Sequence, residues 1–316
     1  MSATRESCAE SLCSYHKRRW ASVALTTEPT LQQRGNKSRR PDFVVIGAMK
    51  CATSTVCAYF EDHPDVFMVP NCEPNFFSHD EEFAKGPEWY EAHFQACNGQ
   101  KLCGEGSNDY AWGQRYPETA ARMAAYHPGL KLIYMVRHPI DRIVSAWIQN
   151  RSDSGDAVPA TLDCCVIEQP EVFIDQSLYW RNISRYRARF PDQQIFIGFL
   201  SDLNGDPQTF FFRLSKFLGT EAAPMAKRKH VNPSAGKVVL SPLYTAVKKL
   251  PLTKIAKGIM PESFTDTLKH RFFARRIEDR PQFSPKVQRY VIDAVRDDAE
   301  KLLEYCGKPR GFWSFD

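Results

Sequence analysis

The chain has 316 residues, 43% of them apolar, and a formal net charge of +5, which is enough for one large domain or two small ones around a buried core. No run of about 18 apolar residues occurs, so no helical membrane span is expected. The start of the chain lacks the positive-then-apolar layout of a secretory signal. A cytoplasmic location with mostly reduced thiols is therefore expected for the ten cysteines, although Cys97 and Cys103 could bridge in an oxidising compartment. Paired Cys-x-x-Cys spacing is absent, so no metal is expected.

Residues 1–40 carry eight Lys/Arg against three Asp/Glu, the whole of the net charge, and the remainder is balanced at 34 against 34. Without apolar periodicity, this segment reads as a basic, flexible extension or a docking arm, with the folded domain running from 41 to 316. Phe43–Ile46 is a short apolar strand. It runs into a turn holding Lys50, Cys51 and Ala52, and then into the hydroxyls Thr53, Ser54 and Thr55 at the start of a helix over Ala52–Asp62. Backbone N–H groups at such a helix start, with a lysine nearby, make a cradle for a phosphate-like group. The Gly-Lys-[Ser/Thr] triplet of nucleoside-triphosphatase loops is missing.

Glu73-Pro-Asn-Phe-Phe-Ser78 and Gly86-Pro-Glu-Trp-Tyr90 follow. Glu73, between the cradle and the Phe76-Phe77 pair, reads alone as a surface glutamate before a helix; those rings could desolvate it and raise its pKa, and the family resemblance of this stretch makes it the candidate general base. Glu105, at the end of a strand over Lys101–Gly104, is the second candidate, and His79 the third. After a helix over Tyr116–Tyr126, a strand over Leu130–Val136 ends at Arg137, and Pro139 opens a helix to Gln149. Ser145 lies about two turns into it. Ligands of parallel sheets bind at the carboxyl ends of strands, so two strand–turn–helix units imply a ligand phosphorylated at two places.

Asp153–Pro170 breaks the alternation. A helix over Leu178–Phe190, a strand over Gln194–Phe199 and a helix over Asp202–Leu218 restore it. From Lys227 to Arg289 there are fifteen Lys/Arg against four Asp/Glu; this reads as a solvated face or, around Arg228 and Lys229, as a cationic wall beside an anionic ligand. The segment Asn232–Pro281 reads as loops and short helices. A long amphipathic helix over Pro285–Tyr305 precedes the closing Gly307-Lys-Pro-Arg-Gly-Phe-Trp313. The expected fold is α/β, a parallel β-sheet flanked by helices.

From about Pro41 onward the chain resembles the sulfotransferases that use 3′-phosphoadenosine 5′-phosphosulfate. Lys50 to Thr55 resembles their 5′-phosphosulfate loop, and Arg137 with Ser145 their 3′-phosphate motif. Glu73 to Tyr90 is similar to the Glu-x-x-Phe-Phe…Gly-x-x-Trp-Tyr stretch of heparan-sulfate and related enzymes. Glu105 to Tyr110 is similar to their Glu-Lys-[Ser/Thr]-Pro-x-Tyr segment, and Gly307 to Trp313 to their closing Gly-x-x-x-x-x-Trp. The resemblance implies a P-loop-containing nucleotide hydrolase-like fold, that nucleotide as donor with 3′-phosphoadenosine 5′-phosphate as product, and no metal. It implies that Lys50 meets charge on the leaving phosphate, that Arg137 and Ser145 hold the 3′-phosphate, and that Arg228, Lys229, Asn232 and Ser234 close over the nucleotide.

Two residues depart from the pattern: Ala52 where the family has glycine, and Gly106 where glycan enzymes carry a lysine. The missing lysine, with the aromatic residues near Glu73, favours a small-molecule acceptor, such as a secondary metabolite, over a sulfated polymer, with no nucleic-acid partner expected. The competing readings are a small-molecule kinase and a non-catalytic nucleotide-binding protein on the same fold.

Overall fold

The computed structural model describes residues 39–70, 73–154, 158–224, 238–240, 274–276 and 281–315. By backbone contacts these fall into two compact units. One takes the described parts of Ile143–Phe173 and Asn232–Gln288, and the other takes the described parts of Thr27–Arg142, Ile174–Val231 and Arg289–Asp316. Most of the expected basic extension, together with Arg228, Lys229, Asn232 and Ser234, lies outside the described residues.

The larger unit holds a five-stranded, all-parallel sheet. Its strands are β1 (Phe43–Gly47), β2 (Val66–Met68), β3 (Leu102–Gly106), β4 (Lys131–Val136) and β5 (Ile195–Phe199), in the spatial order β2-β3-β1-β4-β5. All five residues of β1 are buried, as a central parallel strand covered on both faces requires. Parallel pairing brings the carboxyl ends of β1, β3 and β4 to one edge, with Val45 opposite both Gly106 and Ile133. β2 has no counterpart among the expected strands, because Val-Phe-Met is too short to show a period in sequence.

The main helices of the chain are α1 (Thr53–Glu61), α2 (Thr119–Tyr126), α3 (Pro139–Ser154), α4 (Tyr179–Arg187), α5 (Pro207–Leu218) and α6 (Pro285–Tyr305). α2 starts three residues later than its pattern predicts, because Pro117 disfavours helical backbone at Tyr116. The helix expected over Asp202–Leu218 is two: a short one over Leu200–Gly205, and then α5. The break is chemical. Pro207 has no N–H to continue the first helix, and the Asp206 side chain accepts from Thr209 N at 3.0 Å to cap the second. Gly219, at φ 85°, closes α5 in the left-handed conformation.

Two residues assigned by sequence to the basic segment, Arg39 and Arg40, contact the sheet-bearing unit. Arg40 Nε donates to Glu91 Oε1 at 3.1 Å, its guanidinium sits over the Tyr126 ring, and Arg39 donates to Lys101 O. Both arginines thus belong to the folded unit. Cys97 and Cys103 are buried free thiols. In the smaller unit, Trp147 Nε1 donates to Pro159 O at 3.1 Å and Arg151 Nη1 to Val158 O at 2.8 Å. That unit also contains a short helix over Leu162–Glu168 and an antiparallel pair, β6 (Val238–Leu240) with β7 (Ala274–Arg276). Among the described residues no helix is long and apolar enough to cross a membrane.

Candidate active site

The turn from β1 into α1 is fixed by its backbone. Gly47 has φ 131°, and a Cβ there would sit 2.7 Å from Ala111 Cβ, so only glycine fits. Lys50 and Ala52 follow in the left-handed region at φ 70° and 68°. Ala52 precedes α1 without a side-chain cap, which leaves the first N–H groups of the helix to an anion. Ser54 is exposed and Thr55 half-buried at this start. Cys51 is fully buried, its Sγ 3.6 Å from the Tyr179 hydroxyl, and burial pushes its thiol pKa up. Its N–H donates to Ala48 O at 3.1 Å, which closes the turn.

At the end of β4, Arg137 turns toward this loop and donates from Nη1 to Lys50 O at 3.3 Å. Its Nη2 lies 3.7 Å from Asp141 Oδ2, and its Nε is buried without a protein partner. The two expected phosphate-binding groups therefore share one neighbourhood. Ser145 is buried on α3, two turns beyond Arg137. His138 is structural: its Nε2 meets Ser314 O at 2.7 Å, and its ring packs by Trp313 and Phe315.

Glu73 is half-buried and lies close to this loop. Its Oε1 accepts from Asn108 Nδ2 at 2.7 Å and its Oε2 from Asn108 N at 3.2 Å. The same asparagine accepts from the Thr53 hydroxyl at 3.1 Å. One side chain thus spans the start of α1 and the candidate base. Desolvation, with help from the nearby Asp109 charge, raises the Glu73 pKa to about 7, against the pull of the Asn108 donors.

The other two candidates for the base are placed differently. Glu105 is fully enclosed, with Tyr90 donating to its Oε1 at 3.0 Å and Ser107 to its Oε2 at 2.8 Å. Burial raises its pKa to about 7 as well. A carboxyl so wrapped ties the core together and does not face a ligand. His79 pairs with Asp109 Oδ2 at 2.9 Å and stacks obliquely on Tyr116. His63 is a buried strut at the end of α1, its Nδ1 accepting from Asp65 N at 3.1 Å and its Nε2 meeting Glu221 O at 2.8 Å.

The aromatic residues of the motif have a packing role. Phe76 stacks on Tyr90 with centroids 4.7 Å apart, and Phe77 packs against Tyr90, Tyr110 and Tyr126. This cluster joins the Phe76-Phe77 turn to the short helix carrying Tyr90, the hydroxyl that holds Glu105. Sequence reasoning missed Asn108. It lies inside a recognised segment, but at a position where the pattern carries proline. Among the described residues no three His, Cys, Asp or Glu side chains converge as a metal site would need.

A family model described as "Sulfotransferase domain" matches residues 40–237. Heparan sulfate glucosamine 3-O-sulfotransferase 3B1 of Homo sapiens is 27% identical over 203 residues, covering 62% of this chain and 50% of that protein. The membrane-associated sulfotransferase kil1 of Dictyostelium discoideum is 34% identical over 110 residues, covering 34% of this chain and 22% of that one. The chain thus spans about half or less of the length of these curated relatives. Among solved structures, a sulfotransferase from Alicyclobacillus acidocaldarius superposes with a TM-score of 0.61 at 20% identity, covering 87% of this chain and 99% of that one, a likeness of fold.

Proposed function

Because the chain belongs to the sulfotransferase family, we propose that it moves a sulfuryl group from 3′-phosphoadenosine 5′-phosphosulfate to a hydroxyl or amine of a small-molecule or carbohydrate acceptor, with Glu73 as general base. The observation that carries this reading is the single-residue span from Thr53 through Asn108 to Glu73. It sets a carboxylate with a pKa of about 7 beside the start of a helix suited to a phosphate. A base of that pKa is well matched to taking a proton near neutral pH.

The chain's residues fit the nucleotide. The uncapped start of α1 offers N–H donors, and the buried, unpartnered Arg137 Nε marks a guanidinium with donor capacity to spare. When bound, the nucleotide supplies the sulfuryl group and two anionic ends. Lys50 and the backbone of residues 51–55 would hold the 5′ end, and Arg137 with Ser145 the 3′ end. Lys50 would also meet charge building on the leaving oxygen, while Glu73 takes the acceptor's proton. A kinase reading finds less support, since the loop lacks the Gly-Lys-[Ser/Thr] triplet. At Gly106, where glycan enzymes carry a lysine, a Cβ would meet Cys57 Sγ at 2.8 Å, so a side chain there would require that thiol to shift. That favours a small acceptor over a sulfated polymer.

The test has two arms. 3′-Phosphoadenosine 5′-phosphate, and not ATP, is expected to raise the melting temperature. At 100 times its dissociation constant it adds about 2.7 kcal/mol. Glu73→Gln is expected to lose no nucleotide affinity while turnover on an accepted substrate falls roughly 100-fold or more. Near-normal turnover in that variant would remove Glu73 from the role.

A further inference from the structure

Asn108 makes two hydrogen bonds that converge on one carboxylate and a third that leads away from it. The two donors grip both oxygens of Glu73, and the carboxamide oxygen accepts from Thr53, the first residue of α1. In the Glu-Lys-[Ser/Thr]-Pro-x-Tyr pattern that this segment resembles, proline occupies the same position. Proline has no N–H and no side-chain donor, so neither bond to Glu73 would exist. The asparagine is held firmly. It opens a 3-10 turn directly after β3, and its carbonyl oxygen would lie 3.2 Å from a Cβ on Gly47, at the base of the phosphate loop.

A threonine hydroxyl has one proton to donate. Here Thr53 gives it to Asn108. A phosphate seated at the start of α1 competes for that proton. If Thr53 turns to the phosphate, the carboxamide loses the donor that fixes its oxygen end, and its grip on Glu73 loosens. We propose that Asn108 is a positioning residue that links occupancy of the phosphate loop to the basicity of Glu73, through a carboxamide held by Thr53 at one end and by the base at the other. This rests on the reading of the site as one for sulfuryl transfer.

The sign follows from the bonds. Both donors favour the ionised carboxylate, so loosening them makes Glu73 more basic when nucleotide is bound. Reciprocity requires that nucleotide binds more tightly when Glu73 is protonated. Among the described residues, titratable groups that act on Glu73 include Asp109 in the same turn, Glu105 on β3 and Cys57 on α1. They act on Glu73 whether or not Asn108 is present, so comparing variants separates their effect from the coupling.

The experiment measures 3′-phosphoadenosine 5′-phosphate affinity by calorimetry from pH 6 to pH 9, with the pH profile of kcat/KM, for the full chain and for Asn108→Ala and Thr53→Val. In the wild type, affinity is expected to fall about 5-fold or more as Glu73 ionises, the range of an ordinary coupling. Asn108→Ala is expected to flatten that fall, and to move the acidic limb of kcat/KM up by roughly half a pH unit or more, because a donor to the ionised carboxylate is gone. Thr53→Val is expected to move the limb in the same direction. A residue that only shaped the loop would lower affinity or turnover alike at every pH. Folded variants with the wild-type limb and the wild-type pH dependence of affinity would therefore overturn the proposal. Should Asn108→Ala fail to fold, Asn108→Ser, which keeps the backbone donor, and Thr53→Val carry the same comparison. Absence of nucleotide binding in the wild type at every pH would overturn the sulfuryl-transfer reading, and the coupling with it. Normal binding with unshifted limbs would overturn the coupling alone.

Discussion

Lys50 and Arg137 are both cations at the β1–α1 turn, but their chemistry differs. Arg137 is a planar fork already oriented by its bond to Lys50 O and its proximity to Asp141, so little freedom is lost when it meets an anion. Lys50 is a point charge on a long stem, suited to following charge as it develops. Arg137→Ala is therefore expected to weaken nucleotide binding by roughly 10-fold or more, the loss of a charge-assisted bond, with a smaller effect on kcat at saturation. Lys50→Ala is expected to do the reverse, lowering kcat far more than affinity, as the proposed role at the leaving oxygen requires an interaction that strengthens in the transition state. Calorimetry with 3′-phosphoadenosine 5′-phosphate, set beside saturation kinetics, separates the two. Normal affinity in Arg137→Ala would mean that the second anion site lies elsewhere.

At the scale of elements, the β1–α1 turn shows what the sequence made legible and what it hid. The apolar run Phe43–Ile46, the glycine and the hydroxyl cluster mark a strand, a turn and a helix start. The left-handed backbone at Ala52 also follows, since the pattern it resembles has glycine there. A Cβ in that region costs about 1–2 kcal/mol, and alanine recovers part of this by restricting the unfolded chain. Ala52→Gly is expected to stabilise the protein by about 0.5–1 kcal/mol, read as a shift of the urea midpoint at constant slope. Destabilisation instead would mean that the methyl packs usefully against its surroundings. Other features were not legible. β2 is too short to carry a period, and the break at Asp206-Pro207 depends on a cap that competes with a continuous apolar pattern. The burial of Glu105 depends on Tyr90, fifteen residues away. The bridge by Asn108 depends on a contact with Thr53 across fifty-five residues. Local pattern finds strands and helix starts, whereas partners brought together by the sheet have no local signature.

At the scale of the molecule, the core holds an ionisable group that makes stability depend on pH. Glu105 is fully buried, and desolvation raises its pKa from 4.5 to about 7, despite the hydroxyl donors Ser107 and Tyr90. The folded state therefore binds the proton more tightly than the unfolded chain does. Between about pH 4.5 and about pH 7 the folded protein keeps a proton that the unfolded chain has released, so stability falls as pH rises through that window. The shift corresponds to about 3 kcal/mol, lost once both states are ionised. Glu73 adds to the same slope, while His93 and His127, whose pKa values burial lowers, oppose it by losing stability toward acid. A whole-protein curve mixes these terms, so the measurement must be a difference. Glu105→Gln removes one titration and leaves a side chain of the same shape, with an amide oxygen still able to accept from a hydroxyl. At pH 4 the variant is expected to be equal to the wild type or weaker than it, because a protonated carboxyl and an amide are both neutral. At pH 8 its stability relative to the wild type is expected to improve by about 3 kcal/mol, since only the wild type then carries a buried charge. Urea unfolding of both proteins at the two pH values reads this directly. An unchanged difference between pH 4 and pH 8 would show that Glu105 titrates alike in the folded and unfolded chains, and that its charge is compensated within the aromatic cluster.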